Sequence, residues 1–237
     1  MASLWDINGK MSTNYTLVLG TKNFSSWSLR PWLAMKMAGI AFEEIVITLR
    51  EPQTKARIAE HSPSGKVPVL LIEENGKRRT VWDTLAICEY LAERHSDKAF
   101  WPKDRVKREE ARCIVAEMHS GFINLRQIMP MDLATHHPTP DIDGDLGTEI
   151  ERIKSIWISA LERYERKGGF LFGEFSLADS FYAPVVTRFE TYSIALPPIA
   201  KVYAQRILSL APMREWKTAA LEEMTKSSTA SEQAGLD

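Results

Sequence analysis

The chain has 237 residues, 44% of them hydrophobic and 26% charged, with 30 basic against 31 acidic side chains. A formal charge of -1 provides no global attraction for nucleic acid or an anionic membrane, and the longest basic run is only Lys77-Arg78-Arg79. No stretch approaches the roughly 18 consecutive apolar residues of a membrane helix, and the N-terminus lacks the basic-then-apolar order of a signal peptide; a cytoplasmic protein is expected. Cys88 and Cys113 fall in helix-like segments with no CxxC nearby, so reduced thiols are expected rather than a disulfide, and no metal site is visible.

Residues 1–14 show no sustained periodicity and read as a leader expected to be disordered, with Met11 available as an alternative start. From Tyr15 the pattern sharpens. Thr16-Leu17-Val18-Leu19 signals a buried strand, a polar turn follows, and Leu29, Trp32, Leu33 and Met37 recur at helical spacing up to Gly39. A second strand is predicted over Phe42–Thr48 and a polar helix over Thr54–Glu60. The loop from His61 to Lys66 leads into a strand from Val67 to Ile72, and Asn75-Gly76 predicts a hairpin into Arg79–Trp82, since both residues tolerate positive φ. Thr84–Arg94 then reads as a helix. The βαβ crossover implies two parallel strands, and the hairpin adds antiparallel ones to a mixed sheet. Pro68 cannot donate to a central ladder, which places it at the strand's first residues and makes a cis peptide after Val67 a reasonable expectation.

Beyond Trp101-Pro102 strand signals stop. Ile114, Met118, Phe122, Leu125 and Met129 predict one long amphipathic helix, and Ile150, Ile153, Trp157, Leu161 and Tyr164 a second. The intervening stretch from Pro130 to Gly147, rich in Pro, Asp, Gly and His, is long for a compact domain and so either mobile or functional. Further helices are expected from Leu177 and from about Ala200, with a fraying tail after Lys226.

Three segments carry candidate chemistry. Asn23-Phe-Ser-Ser-Trp-Ser-Leu-Arg30 spans the strand-to-helix turn, where free N–H groups and the helix dipole favour an anion and a serine hydroxyl stabilises a thiolate; Ser is equally an ordinary N-cap residue. Val67-Pro68 offers either an unpaired strand edge for an extended peptide or a tight turn without a ligand. Asp83-Thr84 begins a helix and suits either a carboxylate and an ammonium group together or simple capping. A short acidic peptide bearing a thiol satisfies all three.

These residues resemble a known family. Ser25-Ser-Trp-Ser-Leu-Arg30, Ser62-Pro-Ser-Gly-Lys-Val-Pro68 and Asp83-Thr-Leu-Ala-Ile87 are similar to the glutathione-binding set of cytosolic glutathione transferases, nearest the serine-type, zeta-like (maleylacetoacetate isomerase-like) group. Ser176-Leu-Ala-Asp179 resembles the capping box that opens the buried helix of the family's second domain, and physically Ser176 and Asp179 can satisfy each other's neighbouring N–H groups. The resemblance, which spans about Tyr15 to Leu221, implies a thioredoxin-like α/β domain over 15–95, an all-helical domain over 103–224, a tail from 225 to 237 and a symmetric homodimer. It implies glutathione as co-substrate with a small electrophile as second substrate, and no metal. Ser25 would be the catalytic hydroxyl with Ser26 as the alternative donor, and Trp27 would border the site. Val67 would pair with the cysteinyl residue, Pro68 would be the family's cis-proline, Asp83 and Thr84 would hold the γ-glutamyl end, and Lys66 with His61 would face the glycyl carboxylate. Trp27 stands where the zeta-like pattern has cysteine, which weighs against isomerisation and for conjugation. Glutathione-dependent cis–trans isomerisation of a maleylacetoacetate-type dicarboxylate and a non-catalytic glutathione-binding module are the alternatives. His119 would line the second-substrate pocket or be a packed or surface residue, and Trp27 and Trp32 would flank the serine turn or pack in the core. Arg112 and Arg126 would share one helix and face either an acidic substrate or solvent, and His136-His137 reads as a solvated loop.

Overall fold

The computed structural model describes residues 13–164 and 169–234. The leader read over 1–14 therefore lies outside the described residues up to position 12, and the first strand already includes Asn14. The chain runs β1 (Asn14–Gly20), α1 (Ser26–Met37), β2 (Glu43–Ile47), α2 (Thr54–Ala59), β3 (Val69–Glu74), β4 (Lys77–Trp82) and α3 (Thr84–Arg94). The sheet order is β2-β1-β3-β4, with β1 parallel to β2 and the other pairings antiparallel. Asn75 and Gly76 adopt φ of 57° and 68°, the left-handed pair that a two-residue hairpin requires.

Alternation along β1 divides the core. Leu17 and Leu19 join Leu29, Leu33, Ile87 and Leu91 on the face covered by α1 and α3. Val18 points the other way, into a smaller cluster with Ile47, Val69 and Ile58 of α2. The sheet is thus covered on both faces, and its connecting segments gather at its ends.

The second part comprises α4 (Arg105–Ser120), α5 (Ile123–Ile128), α6 (Gly144–Tyr164), α7 (Leu177–Thr191), α8 (Pro198–Ser209) and α9 (Ala211–Ala234). The single helix expected through Met129 is two. Gly121 is extended and Phe122 is left-handed at φ 58°, ψ 47°, while a Cβ on Gly121 would lie 2.9 Å from the Glu117 carbonyl oxygen. Ile114, Met118, Phe122, Leu125 and Met129 are nonetheless all buried, so the apolar spacing reported the buried side and not the continuity of the backbone. The loop expected to reach Gly147 ends earlier, because α6 begins at Gly144. The segment read as a tail from 225 is helical as far as Ala234.

Helix α7 is the centre of this part, buried on nearly every side. Its first turn is fixed by the Ser176–Asp179 box. The Asp179 carboxylate accepts from the Ser176 N–H (2.9 Å), the Ser176 hydroxyl (3.2 Å) and, across the loop, the Leu171 N–H (3.0 Å). Ser180 Oγ donates to the Arg30 carbonyl (2.7 Å), docking α7 on α1. The last helix closes over the same region: Trp216 Nε1 donates to the Lys22 carbonyl (3.0 Å), and Glu223 accepts from the Lys22 N–H (2.7 Å). Among the described residues no helix is long and apolar enough to cross a membrane.

Candidate functional site

The register dictates where the candidate segments meet. Val18 pairs with Val69 and Val69 with Trp82, in antiparallel ladders. The end of β1, the start of β3 and the end of β4 therefore lie at one end of the sheet, and the segments adjoining them carry Ser25, Val67-Pro68 and Asp83-Thr84. Val67 precedes the first ladder residue, and its backbone N–H and carbonyl have no hydrogen-bond partner among the described residues. The Val67–Pro68 peptide is cis.

A proline joins two of these segments. Pro31 lies inside α1 and lacks the N–H that would bond to the Trp27 carbonyl four residues back. The buried Thr84 hydroxyl donates to that carbonyl instead (3.0 Å). The side chain expected to hold the γ-glutamyl end thus ties α3 to α1, leaving the helix terminus and Asp83 to face outward. Asp83 has φ 74° and ψ 136°, a conformation costing a non-glycine residue about 1–3 kcal/mol. Its Oδ1 accepts from the Leu85 and Ala86 N–H groups (2.8 and 3.2 Å), and its Oδ2 lies 3.3 Å from His119 Nε2 on α4.

The serines differ in their partners. Ser25, the N-cap residue, makes no side-chain cap; its Oγ donates to Ser28 Oγ (2.7 Å), which also accepts from the Gly20 N–H (3.1 Å). Ser26 Oγ accepts from Arg188 Nη2 of α7 (3.1 Å), and the Ser26 carbonyl accepts from Arg30 Nη1 (3.3 Å). Arg188 also donates to the Met129 and Pro184 carbonyls (2.8 and 3.1 Å), and Arg30 to the Phe181 carbonyl (3.0 Å). Burial, reinforced by the charge of Arg126, pushes the Arg188 guanidinium down to about 10; burial and the two neighbouring arginines push Arg30 well below its ordinary value. Trp27 sits among these cations, with the guanidinium carbons of Arg30 and Arg126 at 4.4 and 5.4 Å from its ring and His119 edge-on at 5.3 Å.

Other candidates separate. Arg126, on α5, turns toward Trp27, whereas Arg112, on α4, is exposed and lies 3.9 Å from Glu89. Lys66 is exposed and His61 half-buried, and neither side chain has a bonded partner among the described residues. Trp32 is fully buried beside Trp216 (4.9 Å) and donates to Glu44 (2.6 Å), which makes it a packing residue. His137 bonds Asp132 (2.9 Å) and stacks on Tyr192 rather than standing in solvent. That pair anchors the long loop: Asn23, wholly buried in the serine turn, donates to Asp132 Oδ1 (2.9 Å) and accepts from the Leu133 and Ala134 N–H groups (2.7 and 2.9 Å). Among the described residues no cluster of three or more His, Cys, Asp or Glu could hold a metal ion. A cleft of about 610 Å³ lined by Trp101, Lys107, Tyr164 and Phe172 contains none of the candidate residues.

Sequence reasoning placed Asn23, Ser28 and Arg30 in the turn segment but gave them no role, and it missed Arg188 as a neighbour of the turn. The signal for Arg188 is its place in the Ala183–Phe189 run of a buried helix, where it is the one charged residue and needs a reason.

The comparisons point one way. Residues 24–94 match the family model described as Glutathione S-transferase, N-terminal domain. Over 180 residues the chain is 27% identical to a probable maleylacetoacetate isomerase of Caenorhabditis elegans, covering 75% of this chain and 79% of that protein. The fold is similar to that of a glutathione transferase homologue from Burkholderia gl BGR1 with bound glutathione, at a TM-score of 0.65 and 23% identity, over 88% of this chain and 99% of the other. It is also similar to that of maleylacetoacetate isomerase from Anaeromyxobacter dehalogenans with bound GSH, at a TM-score of 0.59 and 23% identity, over 86% and 95%.

Proposed function

We propose, from the premise that the chain carries the N-terminal domain of the glutathione S-transferase family at residues 24–94, that it binds glutathione at this end of the sheet and delivers the thiolate to a small electrophile. The Val67 backbone pairs with the cysteinyl residue, the Asp83-led terminus of α3 receives the γ-glutamyl end, and Lys66 with His61 meets the glycyl carboxylate. A hydroxyl of the Ser25-Ser26 turn donates to the sulfur and lowers its pKa by favouring the charged form. Conjugation then forms one S–C bond and expels the leaving group with its electron pair, while the thiol proton passes to water. Holding the two reactants together supplies most of the acceleration. A cytoplasmic homodimer belongs to the same reading.

The observation that supports it best is the unpaired Val67 backbone at the end of the sheet where the Asp83 terminus and the serine turn are tied together through Thr84 and Trp27. Calorimetric titration with glutathione tests binding. Turnover of an aryl halide by the Ser25→Ala/Ser26→Ala double variant tests chemistry, with an expected loss on the order of 10²-fold while binding is kept. Binding without turnover of any electrophile would leave the non-catalytic module.

The isomerase-named relative favours a second reading, in which the thiolate adds to an alkene carbon and pushes the π pair into the conjugated carbonyl, the former double bond, now single, rotates, and return of the pair expels the thiolate. Half-buried Arg126 beside Trp27, with no carboxylate within ion-pair distance among the described residues, suits the acidic substrate this requires. Turnover of maleylacetoacetate and none of aryl halides would establish it.

A further inference from the structure

Ser25 and Ser26 are nearly equally enclosed, at 6% and 5% exposed, so accessibility does not choose between them. Their hydrogen-bond roles do. A guanidinium carries only donors, so where Arg188 Nη2 meets Ser26 Oγ the hydroxyl is necessarily the acceptor. A hydroxyl has one proton and two lone pairs. Occupying a lone pair leaves the Ser26 proton free to donate elsewhere, and among the described residues it has no acceptor. The Ser25 proton is engaged with Ser28 Oγ, whose other visible partner is the Gly20 N–H.

Charge points the same way. Arg30 and Arg188 are buried, Arg126 is half-buried, and none of the three has a carboxylate within ion-pair distance among the described residues. The charged and titratable groups around Ser26, Trp27 and the arginines are Arg30 on α1, Asp83 and Cys88 at α3, His119 on α4, Arg126 on α5, Glu149 on α6, which acts on Arg126 from beyond ion-pair distance, and Tyr182, Arg188 and Tyr192 at α7. Asp83 is half-exposed and already pairs with His119. Buried cations with no countercharge are costly, and an anion delivered to the turn relieves that cost.

We propose, on the glutathione reading above, that Arg188 is a positioning residue: its guanidinium holds Ser26 Oγ by a lone pair so that Ser26, rather than Ser25, donates to the sulfur. The thiolate is then the countercharge that the arginine cluster lacks. Ser26 touches the reacting atom and Arg188 acts through it, which makes the bound thiol's pKa, and not merely turnover, the quantity that Arg188 controls.

The test uses the full chain with glutathione. Calorimetry first establishes binding, and the ultraviolet absorbance of the bound thiolate is then followed against pH. Ser26→Ala is expected to raise the bound thiol's pKa, cutting the thiolate fraction at neutral pH about tenfold for each unit gained. Ser26→Thr, which keeps the hydroxyl, restores it. Arg188→Lys and Arg188→Gln raise it in the same direction, and combining Arg188→Lys with Ser26→Ala adds little, because the two act as one unit. Ser25→Ala moves it less. A purely structural Arg188 would lower the melting temperature and leave the thiol pKa unchanged, and that result overturns the proposal, as does a larger shift in Ser25→Ala than in Ser26→Ala. Should both Arg188 variants fail to fold, Ser26→Ala decides: an unchanged pKa sinks the idea, and a raised one supports it. Absence of glutathione binding by the unaltered protein would refute the glutathione reading itself, and this proposal with it, whereas binding with a normal thiol pKa in every variant refutes this proposal alone.

Discussion

Replacing Asn23 by alanine tests whether the serine turn and the loop after α5 are one unit. The Asn23 side chain is wholly buried and, among the described residues, is the sole partner of the Leu133 N–H (2.7 Å), one of two partners of the Ala134 N–H (2.9 Å) and a donor to Asp132 Oδ1 (2.9 Å). Ala134 keeps Asp132 Oδ1 at 3.2 Å after the substitution, but Leu133 is left with no acceptor. An orphaned buried N–H costs about 1–3 kcal/mol, so opening of the loop should become easier by about 2 kcal/mol, which is about thirtyfold in the local opening equilibrium. Amide hydrogen exchange reads this directly. The Leu133 amide should lose about thirtyfold of its protection, Ala134 clearly less, and β1 amides such as those of Leu17 and Leu19 should not change. Equal loss at Leu133 and Leu17 would mean global destabilisation, and undiminished protection at Leu133 would refute the anchoring role of Asn23.

Asp179→Ala removes the acceptor of three hydrogen bonds in the buried box and should cost about 3 kcal/mol, lowering Tm by about 6–12 °C in a thermal melt; a Tm within about 2 °C of the unaltered protein contradicts it. Burial pushes the Asp132 carboxyl up, but hydrogen bonds from His137, Asn23 and the Ala134 amide outweigh it and hold the group below its ordinary value. A carboxyl lowered in the folded state adds stability above its unfolded pKa of about 3.9 and loses it as pH falls through the folded value; loop protection should therefore decline in acid below that range, and a decline centred near neutral pH would exclude Asp132 as its origin. Cys113 is exposed while Cys88 is buried with its thiol pushed up by desolvation, so brief alkylation of the native protein should modify Cys113 alone, as peptide mass mapping will show.

The sheet was legible because its signals are local. Asn75-Gly76 requires a left-handed pair, the alternation of Leu17, Val18 and Leu19 assigns two faces, and Ser176 with Asp179 states a capping box three residues apart. The break at Gly121-Phe122 was not legible, since the apolar spacing crosses it unaltered and only the approach to the Glu117 carbonyl marks it. The site was half readable for the same reason. The three segments could be placed near one end of the sheet from connectivity, but their side-chain partners come from α4, α5 and α7. Pro31 announces that the Trp27 carbonyl needs a new donor; nothing local says that Thr84 supplies it. Arg188 lies 162 positions from the serine whose hydroxyl it bonds, and no periodicity connects them.

The double hold on Lys22 has a temporal side. Its amide answers to Glu223, 201 positions later, and its carbonyl to Trp216, 194 positions later. At about 5–20 residues per second a ribosome needs on the order of 10–40 s to cover that distance. The strands of the sheet are all made by Trp82, yet the turn that follows β1 waits for α9 to emerge. The nascent chain completes its strand segments early and its serine turn late, so a chain halted before Trp216 contains all four strand segments but neither partner of the Lys22 backbone.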